Sequence, residues 1–192
     1  MTTATKPLTL QEYAEFDDGT DTRYELVDGQ PIPVSTESDI NDRIASFLYA
    51  YFLQLGIPYY RLSMKAQVAV SGRLANARQP DLMLLSEEAA TALEGAKQRL
   101  IMHDMPPPSL VVEVVSPKQA ERDYRYKRLE YAGRHISEYW IVDPIAGQVT
   151  VLIWDAGLYT EKVYRDTQKV DSSLFPVLTL TAEQILLREQ MS

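Results

Sequence analysis

The chain has 192 residues, a formal net charge of −8, no cysteine and two histidines. This length suits one domain with a substantial hydrophobic core, so we predict a single domain over residues 1–192. The absence of cysteine excludes disulfides and thiolate zinc sites. The net negative charge argues against a protein that binds nucleic acid non-specifically over its whole surface, but it does not exclude a local basic site.

The first third of the chain predicts a short helix, a hairpin and one long helix. Thr9 begins a capping-box pattern, which predicts a helix over residues 10–16. The pair Asp28-Gly29 predicts a tight turn between two short strands. Apolar residues then recur at helical spacing up to Gly56, where the main packing helix is predicted to end. This apolar stripe contains Ile40, Ile44, Phe47, Leu48, Tyr51, Phe52 and Leu55.

The rest of the chain alternates strand and helix patterns. Predicted strands share short apolar runs and fall within residues 59–70, 81–86, 110–115, 137–144, 148–157 and 159–165. Residues 71–79 are predicted as a polar loop, and helices are predicted after Ser86, from Pro117 to about Ala132, and over 181–187. We therefore predict a mixed α/β fold with a central sheet flanked by helices.

No predicted element is a candidate for crossing a membrane. Apolar runs stay well below the roughly 18 to 20 residues of a membrane span. The N-terminus also lacks the charged and apolar regions of a signal peptide. We therefore expect a cytoplasmic protein without a membrane partner.

Two carboxylates are notable because each belongs to an apolar strand. Glu113 interrupts the continuous apolar run 110–115, and Asp81 begins the strand before it. Burying an unpaired charge is costly, so Glu113 requires a cation, a metal or a proton beside it. If the two strands are neighbours, one ion could lie between both carboxylates, and oxygen ligands favour Mg²⁺ or Mn²⁺. The pattern thus predicts a metal-dependent hydrolytic site.

The helix after Glu113 offers a compensating cation. Asp123, Lys127 and Tyr131 recur at four-residue spacing and so share one helix face. Lys127 can therefore point toward the sheet and neutralise Glu113. Beside a reacting phosphate the same ammonium could orient the nucleophile or stabilise developing charge.

Each of these residues also has a plainer structural interpretation. Asp81 follows a proline and could simply begin a strand, while Glu113 and Lys127 could form an ion pair without catalytic duty. A solvated helix face would account for Arg122, Arg125 and Arg128. The two histidines, His103 and His135, are expected on the surface.

The ordered segments QPDLMLL, LVVEVVSP and RDYRYKRLEYAGRHISEYWIVDP resemble the Uma-two family of restriction-endonuclease-like proteins, a branch of the PD-(D/E)XK nuclease superfamily. The resemblance extends from LTLQEYAEF and YELVDG to the strands after Trp140. It implies a restriction-endonuclease-like fold. It also implies an endonuclease dependent on Mg²⁺ or Mn²⁺ that hydrolyses phosphodiester bonds of nucleic acid, with DNA the first expectation.

The resemblance carries over to individual residues. Asp81 matches the aspartate of the PD motif, and Glu113 matches the acidic residue of the next core strand, so both are implied metal ligands with a catalytic role. The superfamily usually has lysine two residues after that acid, where this chain has Val115, and the family likeness places the catalytic lysine at Lys127. Glu25 matches a recurrent acid near the metal and is a further implied ligand.

Three more residues are candidates for contact with substrate. Asn41 stands where many family members carry histidine, so no proton-transfer role is expected there, and Arg122 and Arg125 complete the set. In the implied mechanism the metal polarises a phosphodiester and lowers the pKa of a bound water. Lys127 positions that water for in-line attack.

Two other functions remain open at this stage. The valine at the usual lysine position favours a catalytically inactive module that keeps the nuclease fold and binds nucleic acid or protein. Alternatively, the strands VTVLIW and LYTEKVYR could pair between two copies and form a homodimer.

Overall fold

The structure, a computed structural model, describes residues 6–20, 22–34, 39–72, 76–96, 99–117 and 120–189. Its helices are α1 (Leu10–Ala14), α2 (Asp39–Gln54), α3 (Glu87–Ala92), α4 (Arg128–Gly133) and α5 (Ala182–Leu187). The strands are β1 (Tyr24–Val27), β2 (Gln30–Pro33), β3 (Leu62–Ser63), β4 (Gln67–Ala69), β5 (Ala77–Arg78), β6 (Leu82–Leu84), β7 (Leu100–Ile101), β8 (Leu110–Val114), β9 (Glu138–Asp143), β10 (Gln148–Asp155) and β11 (Leu158–Arg165). A π-helical turn, Arg122–Lys127, precedes α4.

The strands form two mixed sheets, in the orders β2-β1-β5-β4-β7 and β11-β10-β9-β8-β6-β3. Each sheet has one parallel pair, β4 with β7 and β8 with β9. The predicted mixed α/β class is confirmed, with the strands divided between two sheets. β11 is an edge strand of the larger sheet, and pairing of two copies along it stays a prediction.

Helices cover both faces of the larger sheet, whose central strands β8 and β9 are mostly apolar and buried along their whole length. α2 packs on one face through Ile44, Leu48 and Phe52, which share a cluster with alternate residues of β8. Tyr131 of α4 belongs to the cluster on the other face. Side chains alternate along a strand, so the residues of β8 divide between these two cores.

Local sequence signals account for several element boundaries. Thr9 forms the predicted capping box with Glu12, although α1 is shorter than predicted. Asp28 and Gly29 both have positive φ, 48° and 73°, as a type I′ hairpin turn requires. Gly56 follows the end of α2 with φ 89°, a backbone conformation that glycine adopts without steric cost.

Two predictions about elements were wrong. Residues 71–79 were expected to form a polar loop, but Ala77 and Arg78 form β5 and are buried, while 73–75 lie outside the described residues. Ile40 was placed in the apolar stripe of α2, yet its exposed fraction is 40% because the helix begins there, ahead of the part that packs on the sheet. Within the described ranges, no helix has the length and apolar character to cross a membrane.

Candidate functional site

Asp81 and Glu113 lie side by side on neighbouring strands. Met83 of β6 pairs with Val111 of β8 in an antiparallel register, so continuing that register places Asp81 opposite Glu113. Both acids are an even number of residues from this pair, and their side chains therefore share its face of the sheet. The main-chain N–H of Val114 donates to Asp81 Oδ2 at 2.5 Å. The predicted adjacency of the two acid-bearing strands is confirmed.

Lys127 reaches Glu113 from the helix above this face. Its Nζ lies 2.8 Å from Glu113 Oε2 and 2.9 Å from Asp123 Oδ1. The hydroxyl of Tyr131 donates to Glu113 Oε1 at 2.6 Å. Lys127 is 2% exposed and Glu113 is 3% exposed, so these groups interact out of water. The predicted pairing of Lys127 with Glu113 is present, and Asp123 shares the ammonium.

A π-helical turn brings the Lys127 side chain to this position. Such turns are rare in helices and are frequent at functional sites. The turn spans Arg122–Lys127 and passes directly into α4, which carries Tyr131. The hydroxyl of Tyr139 donates to the main-chain oxygen of Asp123 at 3.1 Å and satisfies a carbonyl group of the turn. Both the ammonium and the tyrosine hydroxyl are thereby aimed at one carboxylate.

Burial and charge shift the ionisation of this cluster. Burial raises the pKa of Glu113, and the opposing attraction of Lys127 does not fully offset it. Burial alone would lower the pKa of Lys127, but Glu113 and Asp123 outweigh it, and its pKa is raised. Burial also raises the pKa of Tyr131 far above the normal range. Lys127 is therefore a charged donor and Tyr131 a neutral one.

A second buried ionic cluster lies beside the first. Arg78 is 3% exposed and donates to Glu130 through two nitrogens, at 2.8 and 3.0 Å. Its third nitrogen donates to Glu25 Oε2 at 3.2 Å. Burial opposes the charge of Arg78, but the attraction of Glu130 and Glu25 raises its pKa. A Cβ atom on Gly72 would fall 2.6 Å from Glu130 Oε1, so glycine leaves the space this cluster needs.

The two clusters line one cleft of about 380 Å³. Its charged lining residues are four carboxylates, Glu25, Asp81, Glu113 and Asp123, and three cations, Arg78, Arg122 and Lys127. The formal sum of these groups is −1, and buried Glu130 behind Arg78 adds a further negative charge. The cleft therefore attracts a cation more than an anion in the absence of bound ions.

The remaining predicted residues lie at different distances from this cleft. Arg122 lines it, with NH1 4.0 Å from Glu25 Oε2. Asn41 is buried at the end of β8, where its Nδ2 donates to Val114 O at 2.8 Å. Arg125 is exposed and pairs with Glu121 at 3.2 Å, outside the cleft lining. The structure thus brings Arg122 to the acids and leaves Arg125 on the surface.

Sequence reasoning missed three residues of the cleft region: Arg78, Gln79 and Glu130. Arg78 was missed because residues 71–79 were predicted to be a polar loop. Ala77 before it and Pro80 after it are nevertheless compatible with a short buried strand. Gln79 is 8% exposed, and its side-chain Nε2 has no hydrogen-bond partner among the described residues. Glu130 belongs to the same predicted helix as Lys127 but lies outside the face that Asp123, Lys127 and Tyr131 share.

The carboxylates of the cleft all have partners within the chain, and they differ in which groups hold them. Within the residues that the structure describes, no group of three or more His, Cys, Asp or Glu side chains could hold a metal on its own. Glu25 is engaged by Arg78 and by the N–H of Gln79 at 3.3 Å. Asp81 accepts from the N–H of Val114, and Glu113 accepts from Lys127 and Tyr131, and these two carboxylates lie side by side. Such a pair suits Mg²⁺, which usually binds one or two carboxylates and completes its octahedron with waters and substrate phosphates.

Comparison with known proteins gives a family match and a structural match that each cover most of the chain. The family model Uma2, described as "Putative restriction endonuclease", matches residues 10–183. A solved structure described as "a putative nuclease belonging to DUF820" from Anabaena variabilis ATCC 29413 aligns with a TM-score of 0.70. That alignment is 16% identical and covers 94% of this chain and 98% of the other, so it shows the fold alone. No curated protein matches the chain.

Proposed function

The chain belongs to the Uma2 family of restriction-endonuclease-like proteins, and from this we propose that it is a metal-dependent endonuclease acting at the cleft of Asp81 and Glu113. The substrate would be nucleic acid, with DNA the first expectation, and the reaction would be hydrolysis of a phosphodiester bond. The cofactor would be Mg²⁺ or Mn²⁺.

One observation supports this proposal above the others. The buried Lys127 ammonium lies 2.8 Å from Glu113 and extends from a π-helical turn into a cleft that also contains Asp81. The superfamily's usual lysine position is occupied here by buried Val115. A lysine from the helix therefore supplies, at the same acid, the cation that the strand does not carry.

Asp81 and Glu113 would hold the metal, with substrate oxygens and waters as its other ligands. A bound divalent ion would polarise the phosphodiester and make a water more acidic. Asp81 is held in place by the N–H of Val114, and Glu113 by the hydroxyl of Tyr131. These fixed positions favour a preorganised site, because neither carboxylate has to reorient when substrate binds.

Lys127 and Arg122 would act on the substrate. The charged ammonium of Lys127 can hold an attacking water by donating a hydrogen bond or can stabilise negative charge on the phosphate in the transition state. Arg122 lines the same cleft and offers a guanidinium that matches phosphate oxygens. Glu25 would remain paired with Arg78 and set the local charge.

A second function is favoured by a specific observation. Both oxygens of Glu113 already have donors, from Lys127 and Tyr131, and a carboxylate satisfied in this way can be purely structural. The chain would then be an inactive module that keeps the fold and binds nucleic acid or protein. The two functions differ in whether the cleft binds a divalent ion.

Cleavage assays test the proposal. Single-stranded and duplex DNA and RNA are incubated with the protein and Mg²⁺ or Mn²⁺, with EDTA in parallel. We expect metal-dependent cleavage that is lost in Asp81→Asn and Glu113→Gln but kept in Asp171→Asn, which alters an exposed carboxylate paired with Lys162. A parent protein that cleaves none of these substrates would refute the proposal.

A further inference from the structure

A second pocket of about 330 Å³ adjoins the cleft. Gln79 is the described residue that lines both cavities. Tyr24 and Glu25 are successive residues of β1, so their side chains point to opposite faces. Tyr24 lines the second pocket and Glu25 lines the cleft. We call the second cavity the side pocket; its lining includes Phe16, Tyr24, Lys65, Gln79 and Arg99.

The charge of the side pocket is opposite in sign to that of the cleft. Three cations, Arg23, Lys65 and Arg99, and two carboxylates, Asp17 and Asp18, give a formal sum of +1. Lys65 and Arg99 are exposed, and neither is ion-paired with another described residue. The carboxylates are turned to their own loop.

Hydrogen bonds within the chain hold both of those carboxylates. Asp17 Oδ1 accepts from the N–H of Gly19 at 2.7 Å, and Asp18 accepts from Thr20 and from the hydroxyl of Tyr24. These hydrogen bonds fix the two carboxylates without neutralising them, so the pocket keeps its formal sum of +1, and Lys65 and Arg99 are cations without an ion-pair partner among the described residues. An anionic ligand is therefore favoured at this pocket.

Aromatic rings form another part of its lining. The rings of Phe16 and Tyr24 meet edge to face at 5.5 Å, and both side chains are half-buried. Unpaired charges together with half-buried aromatic rings are the combination that proteins use to bind single-stranded nucleic acid. Each base of an unpaired strand can offer a face to an aromatic ring, whereas stacked bases in a duplex cannot.

Gln79 provides a second, independent indication that a ligand binds here. Its side chain is more than nine-tenths buried, and its Nε2 has no hydrogen-bond partner among the described residues. Buried polar groups are nearly always paired, so an unpaired atom on a residue that lines both cavities requires an explanation. A phosphate or base oxygen bound beside Gln79 would satisfy it.

We propose that the side pocket binds one unpaired nucleotide next to the phosphodiester held in the cleft, so that single-stranded or locally unpaired nucleic acid is the preferred substrate. The inference rests on the proposed function for the identity of the neighbouring site. The volume lies at the lower end of the range for small-molecule sites, which suits one nucleotide and not a base pair. Lys65 and Arg99 contact the phosphates, Phe16 and Tyr24 contact the base, and Gln79 bridges the two cavities.

Binding is measured by fluorescence anisotropy with labelled oligothymidylate in EDTA, so that no cleavage is needed. The double variant Lys65→Gln/Arg99→Gln should bind more weakly, and its slope of log K against log salt should fall by about 0.7 for each phosphate that the protein no longer neutralises. Lys169→Gln, which alters an exposed lysine outside both cavities, should bind as the parent does. A labelled duplex should bind more weakly than the single strand.

Gln79→Leu separates a direct role in ligand binding from a structural role. Since Nε2 is unpaired in the free protein, this variant should melt at the parent temperature or above, yet bind oligothymidylate more weakly. Phe16→Leu should weaken binding about tenfold because the base can no longer stack on an aromatic ring at this position. A structural role for Gln79 would instead lower the melting temperature and leave binding by the folded protein unchanged.

The outcomes for the two proposals are distinguishable. If the parent binds oligothymidylate with these variant effects but cleaves nothing, the side pocket stands and the nuclease proposal fails. If the parent cleaves duplex and single strands equally and the Lys65→Gln/Arg99→Gln and Gln79→Leu variants bind as the parent does, the side-pocket proposal is overturned. Asp81→Asn should lose cleavage and keep oligonucleotide binding.

Discussion

Replacing Lys127 with methionine removes one buried ammonium and leaves its two carboxylate partners behind. The ammonium lies 2.8 Å from Glu113 and 2.9 Å from Asp123, and the side chain is 2% exposed, so solvent screening is small. Breaking a buried pair by removing one partner costs about 3–5 kcal/mol. Tyr131 still donates to Glu113, so we expect a loss of about 3 kcal/mol at neutral pH, near the lower limit.

This loss is measurable by thermal melting. For a chain of this size about 1 kcal/mol corresponds to roughly 2–4 °C, so the variant should melt about 6–12 °C below the parent. The matched control is Lys162→Met, which removes an exposed ammonium paired with exposed Asp171. Exposed pairs contribute about 0–1 kcal/mol, and this control should melt within a few degrees of the parent.

The stability deficit of Lys127→Met should depend on pH. Burial already raises the pKa of Glu113 against the pull of Lys127, and without the lysine that pKa rises further. A carboxyl group whose pKa is higher in the folded than in the unfolded protein takes up protons on folding. It therefore destabilises the fold as pH rises through that pKa. The deficit should be smaller at pH 5 than at pH 8.

Catalysis separates the two roles of Lys127. If the ammonium acts on the reacting phosphate, cleavage by folded Lys127→Met should fall by about 10² to 10³, while metal affinity is not weakened because an ammonium is not a ligand. Adding Val115→Lys to this variant tests whether the superfamily's usual position can partly restore cleavage. Loss of activity only in proportion to the unfolded fraction would refute a catalytic role and leave a structural ion pair.

Three further variants test the site and the fold. Glu113→Gln should abolish saturable Mg²⁺ binding in isothermal titration calorimetry, and a parent without saturable heat would contradict the metal site. Arg78→Met leaves two buried carboxylates without their cation, so the free energy of unfolding should fall by about 3–5 kcal/mol in denaturant melts. Arg43→Met, at an exposed pair, should lower it by about 0–1 kcal/mol. Glu138→Gln should cost about 2 kcal/mol or more, because this buried carboxylate accepts five hydrogen bonds; an unchanged midpoint would show that the amide replaces them.

Local periodicity explains why part of the site could be predicted. A two-residue repeat along a strand and a four-residue spacing along a helix involve residues that are close together in the chain, so both patterns can be recognised in the sequence. For this reason the sequence predicted that Glu113 lies in an apolar strand and that Lys127 lies on the helix face toward the sheet. Their partnership followed because a buried carboxylate requires a counter-charge.

The position of Asp81 depended on one further step. The sequence predicted the strand that follows Asp81. That this strand lies next to the strand of Glu113 was only an expectation, and the strand pairing in the structure establishes it. The sequence also provided no reason to distinguish Arg122 from Arg125, and both were candidates for contact with substrate. The π-helical turn aims Arg122 into the cleft and leaves Arg125 in solvent.

The amino-acid sequence by itself determined the mixed α/β class, the capped helices, the hairpin and the acid and lysine of the central cluster, since each depends on residues close together in the chain. Only the tertiary structure decided that Arg78 is buried between Glu25 and Glu130, more than 50 residues away on either side. It also decided that Gln79 lines two cavities. Such contacts depend on strand pairing between distant segments, and short-range patterns of polarity carry no record of which segments meet.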